Sequence, residues 1–146
     1  MSVTSVNRAN ASWEGDLKSG NGQIKIDRGG IDTPFTFGIR FEDEQGVGPE
    51  DFVAAAISGC FSMALSNELD GRGTTAKRVD TRASVMFGPD PAGGFHISTI
   101  DLVVRADVPG VDEDGFQSAA EATRTGCPIA KLYTGTTINL DAKLVG

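Results

Sequence analysis

The sequence predicts an α+β domain with the element order β-β-β-α-β-β-α-α-β. Three observations carry that prediction. Apolar and polar residues alternate through the first third of the chain, as half-buried strands require. A long apolar run from Phe52 to Leu65 then follows a helix start signal at Gly48-Pro49-Glu50-Asp51. Alternation returns afterwards, and Asp112 and Pro128 each open a further helical stretch before a last alternating segment. At 146 residues the chain reads as a single domain, 1–146, able to bury roughly two thirds of its unfolded surface.

Taken in order, a first strand is expected from Ala9 to Gly15 around Trp13, with Trp13 in the core. A second runs through Gln23-Ile-Lys-Ile-Asp27, and a third through Phe35-Thr-Phe-Gly-Ile-Arg-Phe41. In the third, Phe35, Phe37, Ile39 and Phe41 would share one face and Arg40 the other. Ser19-Gly-Asn-Gly22 and Arg28-Gly-Gly-Ile-Asp32 supply the turns. The helix begins with proline at its first position and acids in its first turn, which complement the helix dipole. It should reach Leu69 and stop at Asp70-Gly71-Arg72-Gly73. A helix apolar nearly all round is a buried one, packed here on an antiparallel sheet. Strands over 77–87 and 95–107 follow, joined by a Pro/Gly-rich loop over 88–94. Asp112 caps a helix bearing Phe116, Ala119, Ala120 and Thr123 on one face and ending at Gly126. Pro128 opens a short helix through Ile129, Ala130 and Leu132, and the strand 136–144 closes the chain.

The net charge is −7 with no cluster of Lys or Arg, which disfavours nucleic acid as a partner. No basic segment followed by an apolar one marks the start as a secretory signal. The apolar run is interrupted by Ser58, Gly59 and Ser62 and is too short to span a bilayer, so the expected location is cytoplasmic, with no membrane partner. In a reducing compartment two cysteines are more often catalytic, redox-sensing or metal-binding than a permanent staple.

Those two cysteines occupy different settings. Cys60 lies within the apolar helical run, where its pKa should rise unless a cation is close. Cys127 precedes a helix-opening proline, where free amides and the dipole favour a thiolate, so by that rule it is the more reactive. The pair is open between a structural disulfide and a two-step thiol reaction. Zinc would need four ligands, which two cysteines and the distant His96 do not supply. His96 reads as a surface or satisfied strand residue. Gly20-Asn-Gly22 is a hairpin turn, since no helix follows it as a phosphate loop would require.

The stretch Gly48-Pro49-Glu50-Asp51-Phe-Val-Ala-Ala-Ala-Ile-Ser-Gly-Cys60-Phe-Ser-Met-Ala-Leu65 resembles the helix motif of the osmotically inducible protein C and organic hydroperoxide resistance family. Gly126-Cys127-Pro128-Ile129 resembles its second cysteine motif. Trp13-Glu-Gly-Asp16, Phe37-Gly-Ile-Arg40-Phe41-Glu42 and Val108-Pro-Gly-Val111 extend the likeness over nearly the whole chain. The resemblance implies a thiol-dependent peroxidase acting on organic hydroperoxides or hydrogen peroxide, and an intertwined homodimer. It implies Cys60 as the peroxidatic thiol, Cys127 as the resolving one, Arg40 as the activating cation and Glu50 as the carboxylate orienting it. In the organic hydroperoxide branch the arginine lies in the first hairpin, where this chain has Lys18. Arg40 therefore resembles the osmotically inducible branch.

On that resemblance no cofactor is needed beyond an external thiol or lipoyl-type dithiol reductant. A Cys60–Cys127 disulfide would close a loop of about 66 residues, worth on the order of 4 kcal/mol if unstrained. Glu50 and Cys60 are ten residues apart, about 15 Å along a straight helix, so Arg40 can hardly serve both within one chain. Either a partner subunit supplies the Arg40–Glu50 pair or the helix breaks near Ser58-Gly59. Two other readings remain: a non-catalytic small-molecule binding module and a thiol redox sensor.

Overall fold

The computed structural model describes residues 2–146. They form two compact units, one ending at Phe52 and the other running from Val53 to Gly146.

In the first unit, β1 (Ala9–Glu14), β2 (Asn21–Ile26) and β3 (Asp32–Phe35) form an antiparallel three-stranded sheet in that order. Gly22 at its centre pairs with Trp13 on one side and Phe35 on the other. A Cβ at Gly22 would come within 2.4 Å of the Phe35 ring, so glycine is what lets that ring lie against the strand. Trp13 is half-buried beside Phe35, with ring centroids 5.3 Å apart, rather than part of a sealed core.

The expected strand through Phe41 is not formed. The chain leaves the sheet at Phe35 and makes α1 (Phe37–Phe41), a short helix capped by Thr36, whose hydroxyl accepts from the Ile39 amide at 3.3 Å. The physical reason is an ambiguity of period. Phe37 and Phe41 fit a spacing of two, but also the four-residue spacing at which helical side chains meet. Their rings stack at 4.8 Å. Arg40 therefore projects from a helical turn, not from the back of a strand.

The long helix α2 (Pro49–Gly71) begins as the sequence indicates, and the Asp51 carboxylate accepts from the Gly48 amide at 2.7 Å. Its 23 residues run without a break through Ser58-Gly59, which removes the alternative of a kinked helix. Beyond it, Gly73 adopts φ +87° and the Thr74 amide returns to the Leu69 carbonyl at 3.0 Å.

In the second unit, α2 is not buried all round. Ile57, Phe61, Leu65 and Leu69 form the buried row, whereas Ala55, Ala56, Gly59 and Met63 are exposed, Met63 by 77%. A single neighbouring layer covers only one stripe of a helix, whatever the composition of the rest. By length and composition alone α2 could cross a membrane, unlike the shorter run read from the sequence. Its buried row nonetheless belongs to a protein core.

The second sheet contains β4 (Arg78–Pro89), β5 (Phe95–Asp107) and β6 (Thr137–Leu144), in the order β4-β5-β6. The β4–β5 hairpin is antiparallel, but β6 runs parallel to β5, with Ile100 opposite Ile138 and Val104 opposite Ala142. The expectation of a wholly antiparallel sheet is therefore corrected. The cause is the connection: α3 (Glu113–Gly126) and α4 (Pro128–Leu132) form a crossover that returns the chain in its original direction. Asp112 caps α3 by accepting from the Gly115 amide at 2.7 Å. Phe116, Ala119, Ala120 and Thr123 are all buried, as their spacing requires. Phe116, Ala119 and Ala120 belong to one buried cluster with Ile100, Leu102, Val104, the buried row of α2 and Cys127.

Candidate active site

Cys60 projects from α2 next to the buried Phe61 and is itself partly exposed. Cys127 is placed by two helices at once. Its amide donates to the Thr123 carbonyl at 2.9 Å, ending α3, and its carbonyl accepts from the Lys131 amide at 2.9 Å, starting α4. Pro128 excludes helical backbone from the residue before it, and Cys127 accordingly takes φ −57° and ψ 126°. The chain turns there, and the side chain is fully buried.

The two residues, 67 positions apart in sequence, bring their sulfurs together: Cys127 Sγ donates to Cys60 Sγ at 2.8 Å. Both thiols are free. A disulfide at about 2.05 Å would require the sulfurs to approach by less than ~1 Å.

Burial pushes the Cys127 thiol above the usual cysteine range, and donation to Cys60 raises it further. The Ile129 and Ala130 amides at the start of α4 pull the other way, without a capping hydrogen bond from the sulfur. The helix-terminus rule thus has the right sign at Cys127 but loses to desolvation. Burial at Cys127 works against the expectation that it is the more reactive sulfur, and in the pair its thiol donates to Cys60.

Tyr133 is not marked by any motif in the sequence. It terminates α4, and its hydroxyl donates to the Val53 carbonyl at 3.4 Å. Burial raises its pKa, and Cys127, once ionised, adds to the effect. Its one sequence signal is that the chain's single tyrosine falls six residues after the second cysteine.

In the first unit, Arg40 and Glu50 meet as the sequence reading proposes. The Arg40 Nη2 lies 2.6 Å from Glu50 Oε1, and Nε donates to both carboxylate oxygens at 3.1 and 3.3 Å. The guanidinium also stands 5.6 Å from the centre of the Phe41 ring. Glu50 is 18% exposed and Arg40 38%, so the carboxylate is the better shielded partner. The His96 Nδ1 lies 3.5 Å from an Asp90 carboxylate oxygen. Among the described residues, no three His, Cys, Asp or Glu side chains converge as metal ligands would.

A helix-borne thiol facing a buried thiol at a helix junction defines a dithiol protein on an α+β scaffold. The chain belongs to the OsmC-like protein family, whose model matches residues 42–142. It is 38% identical over 138 residues to Peroxiredoxin OsmC of Escherichia coli K12, covering 94% of this chain and 95% of that protein. The protein of the same name from Shigella flexneri matches equally. Among solved structures, the organic hydroperoxide resistance protein OhrB of Bacillus subtilis superposes with a TM-score of 0.74 at 24% identity, over 93% of this chain and 98% of that one. A Legionella pneumophila OsmC structure gives 0.76 at 16% identity, over 97% and 99%. At these identities the structures establish a shared fold.

Proposed function

We infer that this protein is a cysteine-based peroxidase that reduces organic hydroperoxides, and hydrogen peroxide with them, through Cys60. The observation that carries the reading is the donation from a buried Cys127 to Cys60 at 2.8 Å. The 38% identity to a protein named Peroxiredoxin OsmC supports it. The Cys60 thiolate attacks one peroxide oxygen, an S–O bond forms and the O–O bond breaks. The alkoxide leaves with the electron pair and takes up a proton to become an alcohol. The Cys127 thiol then displaces hydroxide from the Cys60 sulfenic acid, its own proton completing a water molecule, and a disulfide results.

Such a cycle requires a two-electron reductant and no bound cofactor. A small dithiol of lipoyl type suits it, because its second thiol can release the mixed disulfide. The cycle is placed in the cytoplasm, whose reducing thiol pool would keep such a cysteine pair available for turnover.

Arg40 is the cation assigned to the Cys60 thiolate and the developing alkoxide, with Glu50 orienting its fork. Glu50 and Cys60 are separated by ten residues of unbroken helix, about 15 Å of rise. The reading therefore takes the guanidinium for each Cys60 from a second copy, in a homodimer with shared sites. The exposed Ala55, Ala56 and Gly59 offer small residues for the close approach of such a copy, with the exposed Met63 beyond them.

Two assays test the proposal. Peroxide consumption over many turnovers with dithiothreitol as reductant should be sustained by the wild type, whereas a binding module or a stoichiometric sensor would stop after one equivalent. Mixing inactive Cys60→Ser chains with inactive Arg40→Ala chains should restore activity if sites are shared; no recovery after verified subunit exchange would rule sharing out.

A further inference from the structure

The two sulfurs are carried by helices of unequal security. Cys60 lies in a helix of 23 residues whose buried row belongs to the core. Cys127 opens α4, which has five residues and falls far below the length at which a helix holds its own shape. Ala130 is the buried residue of α4, and Leu132 is 70% exposed. Apolar packing therefore fixes α4 weakly, and a segment of this kind opens readily unless other contacts tie it down.

Two side-chain contacts tie it to α2. At the start of α4 the Cys127 thiol donates to Cys60 at 2.8 Å. At its end the Tyr133 hydroxyl donates to the Val53 carbonyl at 3.4 Å. Val53 precedes Cys60 by about two turns of α2 and shares its side of that helix. The short helix is thus pinned at both ends along one stripe of α2, and the phenol is the far pin. Among the described residues, it makes the one side-chain hydrogen bond that leaves this end of α4 for another helix. Burial raises the Tyr133 pKa and keeps the phenol a donor. Packing does not wedge the ring in place. It borders a space of about 260 Å³ with Val53, Ile97 and Ile100, into which it can turn once the bond is lost.

We propose that Tyr133 is a positioning residue for the resolving step: its bond to Val53 holds α4, and Cys127 with it, within closing range of an oxidised Cys60. The inference rests on the peroxidase reading. With α4 pinned, the Cys127 sulfur displaces hydroxide from the Cys60 sulfenic acid. An S–S bond forms, the S–O bond breaks, and the thiol proton completes a water molecule. With α4 released, the sulfenic sulfur attacks a second peroxide instead. A further S–O bond forms, the O–O bond breaks, and the alkoxide leaves with the electron pair and takes up a proton, so that sulfinic acid remains on Cys60. The pin acts on the effective concentration of one sulfur at the other, and the nucleophilicity of Cys60 is untouched.

The test compares the wild type with Tyr133→Phe, which keeps the ring and removes the pin. The yield of Cys60 sulfinic acid per peroxide consumed, read by intact mass with dithiothreitol as reductant, should rise roughly threefold to fivefold, the factor that one neutral hydrogen bond is worth. Stopped-flow oxidation of Cys60 itself should be unaltered. Equilibration in dithiothreitol redox buffers should place the Cys60–Cys127 potential about 15–20 mV less negative, the same fold-change expressed as a potential. That second readout reports the two sulfurs without peroxide, and a loss of general stability alone does not move it. Tyr133→Leu should shift it at least as far, and serves if circular dichroism finds Tyr133→Phe misfolded.

An unchanged sulfinic acid yield or an unchanged potential in a folded variant would overturn the proposal, as would a first oxidation slowed as much as closure. If the potential shifts while neither chain turns over peroxide, the pin stands and the peroxidase reading is what has failed.

Discussion

Cys60 and Cys127 are the same side chain in opposite settings, and the contrast bears on the division of labour proposed for them. Cys60 sits mid-helix, where no free amide points at its sulfur, yet it is partly open to solvent. Cys127 starts a helix, the favourable place for a thiolate, yet it is completely buried. Burial prevails: a helix of five residues offers little dipole, and desolvation of an anion is the larger effect. The outcome is a buried Cys127 thiol that donates to Cys60, an arrangement that suits the roles of nucleophile and resolving partner proposed for them.

Removing either sulfur separates the two roles most sharply. Cys60→Ser should abolish peroxide turnover, a loss on the order of 10³ or more, because the hydroxyl is a far weaker nucleophile. Cys127→Ser should leave the first oxidation in place but lower steady-state turnover by roughly tenfold to a hundredfold, with sulfenic acid accumulating on Cys60. Trapping with a sulfenic-acid-specific dione would reveal it. If the two variants behave alike, the division of roles fails.

A pH series probes the same contrast through stability. Folding raises the Cys127 pKa, so the folded chain holds this proton after the unfolded chain has released it. The group's stabilisation is complete below the ordinary thiol range near pH 8.5 and is lost as pH rises through the folded value. The urea midpoint of the reduced wild type should therefore drop more steeply above that range than that of Cys127→Ala. Parallel curves would contradict the assignment.

The smallest effect expected is that of Tyr133→Phe. It deletes the 3.4 Å hydrogen bond to the Val53 carbonyl, at a cost of about 1 kcal/mol or less. If that bond helps hold α4 in place, disulfide closure should slow relative to the oxidation of Cys60, as stopped-flow measurement would register.

The regions legible in the sequence are those where independent local signals agree. Asp112 as a cap, the spacing of Phe116, Ala119, Ala120 and Thr123, and Gly126-Cys127-Pro128 as a boundary all point to α3 and α4, which the structure contains. Phe35–Phe41 carried two compatible periods over too few residues to separate them, and the Thr36 cap decides for a helix. The parallel course of β6 depends on where the crossover returns, which alternation cannot encode. The Arg40–Glu50 pair is legible only through family likeness, and the thiol donor in the cysteine pair is not legible at all. Its identity follows from burial, a tertiary quantity that the Cys-Pro motif alone does not report.

Intact mass measured after one equivalent of cumene hydroperoxide tests the roles of the two sulfurs most directly. The wild type should lose two hydrogens as a Cys60–Cys127 disulfide, Cys127→Ser should gain a single oxygen, and Cys60→Ser should remain unchanged. Oxygen gained on Cys127 in the Cys60→Ser chain, with none gained on Cys60 in the Cys127→Ser chain, would contradict the account.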